Sequence, residues 1–184
     1  MTNIFLLKSK DINGKKFLKY ILKEYYGIEN YNYYYDKYGK PYIDNYLYFN
    51  YSNTSFYVVL AISLNEVGID IELSSRIFPS NLINYILNSD EKYINSNYYL
   101  LKKWVEKESY LKYLGTGINM ELSNLKIKKG INKLFYNDRN ILLNCFSKNK
   151  INHNILFFTL DSNNCYIYNK TIVTSIKHEK DYIR

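Results

Sequence analysis

The chain has 184 residues, 47% of them hydrophobic, and a formal net charge of +8; this suits one folded domain, or two small lobes of one fold, and excludes wholesale disorder. The positive charge suits a polyanion: nucleic acid, an anionic membrane surface, a phosphorylated ligand or an acidic protein partner. No basic run exceeds a pair, no zinc-finger, helix-turn-helix or ribonucleoprotein signature accompanies the charge, and the longest apolar run, Phe56–Ile62, is too short to cross a bilayer as a helix.

The amino terminus, Met1 to Leu7, lacks the basic start and long apolar stretch of a signal peptide, so the expectation is a soluble, cytoplasmic protein with reduced thiols. Ile4–Leu7 reads as a strand. Phe17, Leu18, Ile21, Leu22 and Tyr25 recur at helical spacing and predict a helix over Lys15–Tyr26, stopped by Gly27. Tyr31–Tyr35, Leu47–Ser52 and Phe56–Ser63 read as strands, with Gly39-Lys40-Pro41 and Asn53-Thr54 as turns between them. The chain holds 23 tyrosines, which fit strand packing and a biased composition rather than any one chemistry.

Val67–Leu73 is the next predicted strand. Pro79–Leu87 reads as a helix with proline in its first turn, and Ser89 as the cap of a short helix containing Glu91. Asn97–Leu114 is the longest predicted helix, ended by Gly115. Leu125–Lys128, Lys133–Tyr136, Ile155–Leu160, Cys165–Tyr168 and Thr171–Ile176 then read as strands. Cys145 and Cys165, with His153 and His178, show no zinc-ligand spacing. Helix then strands, repeated once, predicts an α+β fold of two lobes, each with a helix against an antiparallel sheet.

Two segments carry chemistry. In Val67-Gly68-Ile69-Asp70-Ile71-Glu72 the alternation of a strand puts Asp70 and Glu72 on one face and Ile69 and Ile71 on the other. Side-by-side carboxylates repel unless a cation joins them, and a hard ion such as Mg²⁺ takes one or two carboxylates plus substrate phosphates. In Trp104-Val105-Glu106-Lys107-Glu108-Ser109-Tyr110-Leu111-Lys112, Glu108 and Lys112 share a helix face with Trp104 one turn earlier. Taken alone, that pair also describes a surface ion pair beside a core tryptophan, and the two acids a solvated strand edge.

Together the segments resemble the 4'-phosphopantetheinyl transferase superfamily, specifically its surfactin-synthetase type, whose signature joins a G-[IV]-D-[IV]-E strand to a W-x-x-K-E-[SA]-x-x-K helix. Further likenesses are Gly39-Lys40-Pro41, Phe49-Asn50-Tyr51-Ser52-Asn53-Thr54, Leu87-Asn88-Ser89-Asp90-Glu91 and the turn Gly115-Thr116-Gly117, so the resemblance spans roughly residues 12 to 120. One position departs from the pattern. Asn53 stands where the family has a histidine on the coenzyme A phosphates, and an amide cannot carry that positive charge.

The resemblance implies two pseudo-two-fold-related lobes, here residues 1–66, a short first lobe, and 67–184, with the active site of a monomer between them. It implies transfer of the 4'-phosphopantetheine arm of coenzyme A to a serine of an apo acyl or peptidyl carrier protein, releasing 3',5'-adenosine bisphosphate, in fatty acid, polyketide or nonribosomal peptide synthesis. Mg²⁺, or Mn²⁺ in its place, would sit on Asp70, Glu72 and Glu108, with Lys112 and Lys107 offsetting phosphate charge. Lys40, Ser52 and Asn53 would hold the nucleotide and its phosphates, and Lys15 or Lys16 the 3'-phosphate. Glu91 is the first choice of base, with Glu72 or a metal-bound water as rivals. Neither nucleic acid nor membrane is an expected partner. The competing expectation is a catalytically impaired relative that binds coenzyme A or a carrier protein without transfer.

Overall fold

Two helices and two sheets stack as four layers, because each strand of the interior carries apolar side chains on both faces. The computed structural model describes residues 1–10, 13–44, 46–91, 94–117 and 121–174; the end of the last predicted strand at Ile176, and His178, lie outside them. Elements follow in the order β1 (Thr2–Lys8), α1 (Gly14–Tyr26), β2 (Tyr33–Tyr35), β3 (Pro41–Ile43), β4 (Tyr48–Asn53), β5 (Tyr57–Ser63), β6 (Val67–Leu73), α2 (Ile83–Ile86), α3 (Asn97–Leu114), β7 (Asn132–Asn137), β8 (Ile141–Ser147), β9 (Ile151–Leu160) and β10 (Tyr166–Val173).

The large sheet runs β10-β9-β1-β5-β4, the second β6-β8-β7, and β2 and β3 form a separate ribbon. Along β1, Phe5 and Leu7 meet Phe17, Leu18, Ile21 and Leu22 of α1, while Ile4 and Leu6 meet the inner face of the second sheet through Val67, Ile69 and Ile71. On the outer face of that second sheet, α3 packs through Val105 against Leu142 and through Tyr110 and Leu111 against Phe146. This yields the order α1, large sheet, small sheet, α3. Both helices end at glycines in the left-handed region, Gly27 at φ 67° and Gly115 at φ 71°, as expected from the sequence.

The α+β class and the helix-on-sheet pairing match expectation, with corrections. The large sheet is not wholly antiparallel, since β1 and β9 pair in parallel, and β9 and β10 return to the sheet of β1, so residues on both sides of position 66 build it. Strand β8, central to the second sheet, has no predicted counterpart: its seven residues are all buried, so Ile141-Leu142-Leu143 shows no alternation to read. Leu125–Lys128 is not a strand; Leu125 and Ile127 instead pack beside Tyr110 and Phe146, and the Lys128 N–H donates to the Tyr110 hydroxyl at 3.2 Å. The helix expected over Pro79–Leu87 shrinks to a 3-10 turn and the single turn of α2. Residues 89–91 form a turn, closed by the Glu91 N–H on the Asn88 carbonyl at 3.0 Å. The last two predicted strands merge into β10, which bulges between Tyr168 and Lys170.

Candidate active site

Gly68 explains why the acid strand and the lysine helix meet. A Cβ there would lie 2.1 Å from the Tyr113 nitrogen and 2.2 Å from the Ser109 carbonyl oxygen, so only glycine lets the α3 backbone rest directly on β6. Two residues further on, Asp70 faces the helix and is only 5% exposed. Its Oδ1 accepts hydrogen bonds from the Ser52 hydroxyl at 2.7 Å and from Lys112 Nζ at 2.6 Å, and Lys112 also donates to Ser52 at 2.9 Å. Strand β4 is clamped to β6 beside them, where Asn50 Oδ1 accepts from the Ile69 N–H at 3.0 Å.

Glu72, next on the same face, accepts from the Trp104 indole N–H at 3.1 Å and from Arg76. The Arg76 guanidinium lies 4.7 Å from the ring centroids of both Phe78 and Trp104. Burial, followed by the neighbouring charge of Asp70, pushes the Glu72 carboxyl above its ordinary value. Glu108 is more strongly affected: 6% exposed, it is raised to about 7, by burial first and by Asp70 next.

These acids fit a hard cation in donor chemistry. Asp70 Oδ2 and Glu108 Oε1 are buried without a hydrogen-bond partner, an arrangement that is costly for a carboxylate oxygen unless a cation faces it. Among the described residues no three acids, histidines or cysteines are gathered into a metal-holding group; Lys112 engages Asp70 and Arg76 engages Glu72.

A cavity of about 270 Å³ opens beside this cluster, lined by Tyr35, Tyr38 and Tyr51 together with Lys40, Glu108 and Lys112. Asp36 shapes the Gly39-Lys40-Pro41 turn by accepting from the N–H groups of Tyr38 and Lys40, both at 2.8 Å. Lys40 then runs past Gly115 and donates to the Tyr113 carbonyl at 3.2 Å, with burial lowering its pKa. A Cβ on Gly115 would sit 3.1 Å from Lys40 Cδ. The two glycine turns found separately in the sequence thus meet at one lysine.

A family model described as the 4'-phosphopantetheinyl transferase superfamily matches residues 66–159, just over half of the chain. The chain belongs to the 4'-phosphopantetheinyl transferase superfamily. It is of the surfactin-synthetase type that its two motifs resemble. The 4'-phosphopantetheinyl transferase gsp of Aneurinibacillus migulanus is 32% identical over 130 residues, 65% of this chain and 54% of that protein. The 4'-phosphopantetheinyl transferase ffp of Bacillus subtilis is 28% identical over 102 residues, 50% of this chain and 45% of that protein. The chain thus spans about half the length of the curated relatives it matches.

Of the site residues expected from the superfamily motifs, Asp70, Glu72, Glu108, Lys112, Lys40 and Ser52 converge. Lys107 and Glu91 do not join them. Lys107 is 1% exposed and points from a different face of α3 to the Ile86 carbonyl at 2.6 Å, to Asn88 and to Glu91 at 2.6 Å. Burial depresses its pKa. Glu91 is also held by Lys103 at 2.8 Å; burial would raise it, but Lys103, Lys107 and the Asn88 N–H outweigh burial and keep it below its ordinary value. Both border a second cavity of about 410 Å³ with Lys103 and Glu106.

Asn53 is exposed at the end of β4, one residue past Ser52 and so on the other face of the strand. Lys15, exposed, lies over the rings of Tyr33 and Tyr35 at 4.4 and 5.1 Å, and its hydrogen bond with Tyr35 raises the lysine and lowers the phenol. Sequence reasoning missed Arg76 and Asn50. Arg76 follows Glu72 by four residues, a spacing with no meaning past a strand end, and Asn50 acts on a neighbouring strand's backbone. No described helix is long and apolar enough to cross a membrane.

Proposed function

We propose that this chain transfers the 4'-phosphopantetheine arm of coenzyme A to a serine of an apo acyl or peptidyl carrier protein. The serine oxygen bonds to the phosphorus that bears the pantetheine, the bond from that phosphorus to the bridging oxygen breaks, 3',5'-adenosine bisphosphate leaves, and the serine proton passes to a base. Catalysis of such a step rests on positioning and charge stabilisation. The observation that carries the reading is the junction at Asp70, where an acid, a hydroxyl and a lysine meet beside two buried, unpartnered carboxylate oxygens, with Lys112 and Glu108 also bordering a tyrosine-lined cavity.

In this reading Asp70, Glu72 and Glu108 hold Mg²⁺, or Mn²⁺ in its place; when bound, the cation neutralises the pyrophosphate. Lys112 supplies positive charge for the phosphates and the leaving group from the same point. Lys40 and Ser52 grip the nucleotide, whose flat base suits the tyrosine wall, and Lys15 and Asn53 stand further out on its approach. Glu91, which Lys103 and Lys107 already hold away from Asp70, suits the role of base poorly. Glu91 and Lys107 secure residues 86–91 against α3. The helix-on-sheet halves act as pseudo-two-fold lobes, and one chain carries one complete site.

Incubation with coenzyme A, Mg²⁺ and apo carrier proteins of fatty acid, polyketide and nonribosomal peptide systems, followed by intact-mass analysis, tests this. At least one carrier should gain the arm, and none should with Asp70→Ala. No gain on any carrier at micromolar enzyme refutes the proposal.

A further inference from the structure

Ser109 orients a residue that neither sequence motif contains. Its hydroxyl donates to the Glu106 carbonyl one turn back at 2.9 Å, so the proton is spent and the oxygen is left as an acceptor. Asn144 of β8 supplies the donor, its Nδ2 lying 2.7 Å from Ser109 Oγ. Turning the amide over would set two acceptors against each other. The nitrogen therefore faces the helix, and Oδ1 faces away.

That Oδ1 is buried without a partner, on a side chain only 1% exposed. Asn144 is the direct partner of Asp70 in the β6–β8 ladder, so the two side chains stand on the same face with Cβ atoms about 5 Å apart. Among the described residues the buried side-chain atoms without a partner are Asp70 Oδ2, Glu108 Oε1 and Asn144 Oδ1. All three lie between β6, β8 and α3. Two belong to proposed cation ligands, and the third is an acceptor oxygen on the strand partner of Asp70.

We infer that Asn144 is a positioning residue of the acid site: its side-chain carbonyl accepts a hydrogen bond from the hydration shell of the divalent cation held by Asp70. Mg²⁺ keeps several of its waters when protein-bound, and outer partners of this kind tune affinity. The inference rests on the proposed function only in taking Asp70 as a cation ligand.

Mn²⁺ titration of the full chain, followed by the electron paramagnetic resonance of the free ion, tests it alongside circular-dichroism melting of each variant. Asp70→Asn should abolish binding. Asn144→Leu should weaken it about 10- to 100-fold in a chain that remains folded. Ser109→Ala, which frees the amide to turn, should weaken it as well, whereas Asn144→Asp, which keeps an oxygen in place, should bind at least as tightly as the wild type. Wild-type Mn²⁺ affinity in Asn144→Leu, with Asp70→Asn inactive in binding, overturns the inference and leaves the proposed function standing. Should Asn144→Leu not fold, unchanged affinity in Ser109→Ala overturns it instead. Unchanged affinity in Asp70→Asn sinks both readings.

Discussion

Replacing Glu108 by glutamine should stabilise the metal-free chain at alkaline pH while abolishing transfer. Glu108 is raised from the ordinary 4.5 to about 7 by burial and by Asp70. One pKa unit corresponds to about 1.4 kcal/mol, so ionising this carboxyl in the folded chain costs on the order of 3 kcal/mol. The folded state binds the proton more tightly than the unfolded one, so between about pH 4.5 and 7 it holds more protons and its stability falls as pH rises. Above about 7 the whole penalty is present. Glutamine keeps the shape and cannot ionise. Urea unfolding without metal should therefore show the advantage of Glu108→Gln growing by about 3 kcal/mol from pH 4.5 to pH 8, or roughly 6–12 °C in melting temperature for a chain of this size. Parallel stability profiles for the two proteins would refute the reasoning, because they would mean that Glu108 titrates alike in both states. The same proton competes with a cation, so wild-type Mn²⁺ affinity should weaken as pH drops below 7 and level off above it.

Gly68→Ala should cost about 3 kcal/mol or prevent folding, since the new methyl meets helix backbone rather than a movable side chain; chemical denaturation measures it, and a loss under 1 kcal/mol would contradict the close approach. Lys107→Ala should lose about 2 kcal/mol by leaving the Ile86 carbonyl without its donor, while Lys103 still holds Glu91, and Glu91→Gln should cost less in that background than in the wild type, as a double-mutant cycle would show. Asp70→Asn removes a charge that raises Glu108, so carbon-13 NMR of the Glu108 carboxyl should show its titration moving toward acid; an unmoved midpoint would exclude that coupling.

Much of the site is legible in the chain because its chemistry follows local periods. Asp70 and Glu72 share a face by strand alternation, and Trp104, Glu108 and Lys112 share one by helical spacing. Motif membership alone groups Lys107 and Glu91 with them. Lys107 lies about 100° round the helix from Glu108, and only knowledge of which face of α3 rests on β6 shows that this turns it away. Asn53 is turned away from Ser52 for the same reason in a strand, where one step reverses the face. The hidden strand β8 shows the complementary limit. Buried on both sides between the small sheet's neighbours, the core and α3, it carries no alternation, and with it Asn144 stays out of view.

Sequence by itself determined the α+β class, the helix stops at Gly27 and Gly115, and which acids share a strand face and which acid and lysine share a helix face, because each depends on residues within a few positions of one another. The tertiary structure alone decided that Lys112 and not Lys107 reaches Asp70, that Trp104 and Arg76 hold Glu72, and that Lys40 crosses Gly115 to border the cavity. Apart from Arg76 on Glu72, those contacts join residues tens of positions apart, and the ones between the acids and α3 depend on the close approach that Gly68 permits. Burial supplies the rest. The proton affinity of Glu108 and the unpartnered oxygens beside it arise from water being excluded between β6, β8 and α3, which no local spacing records.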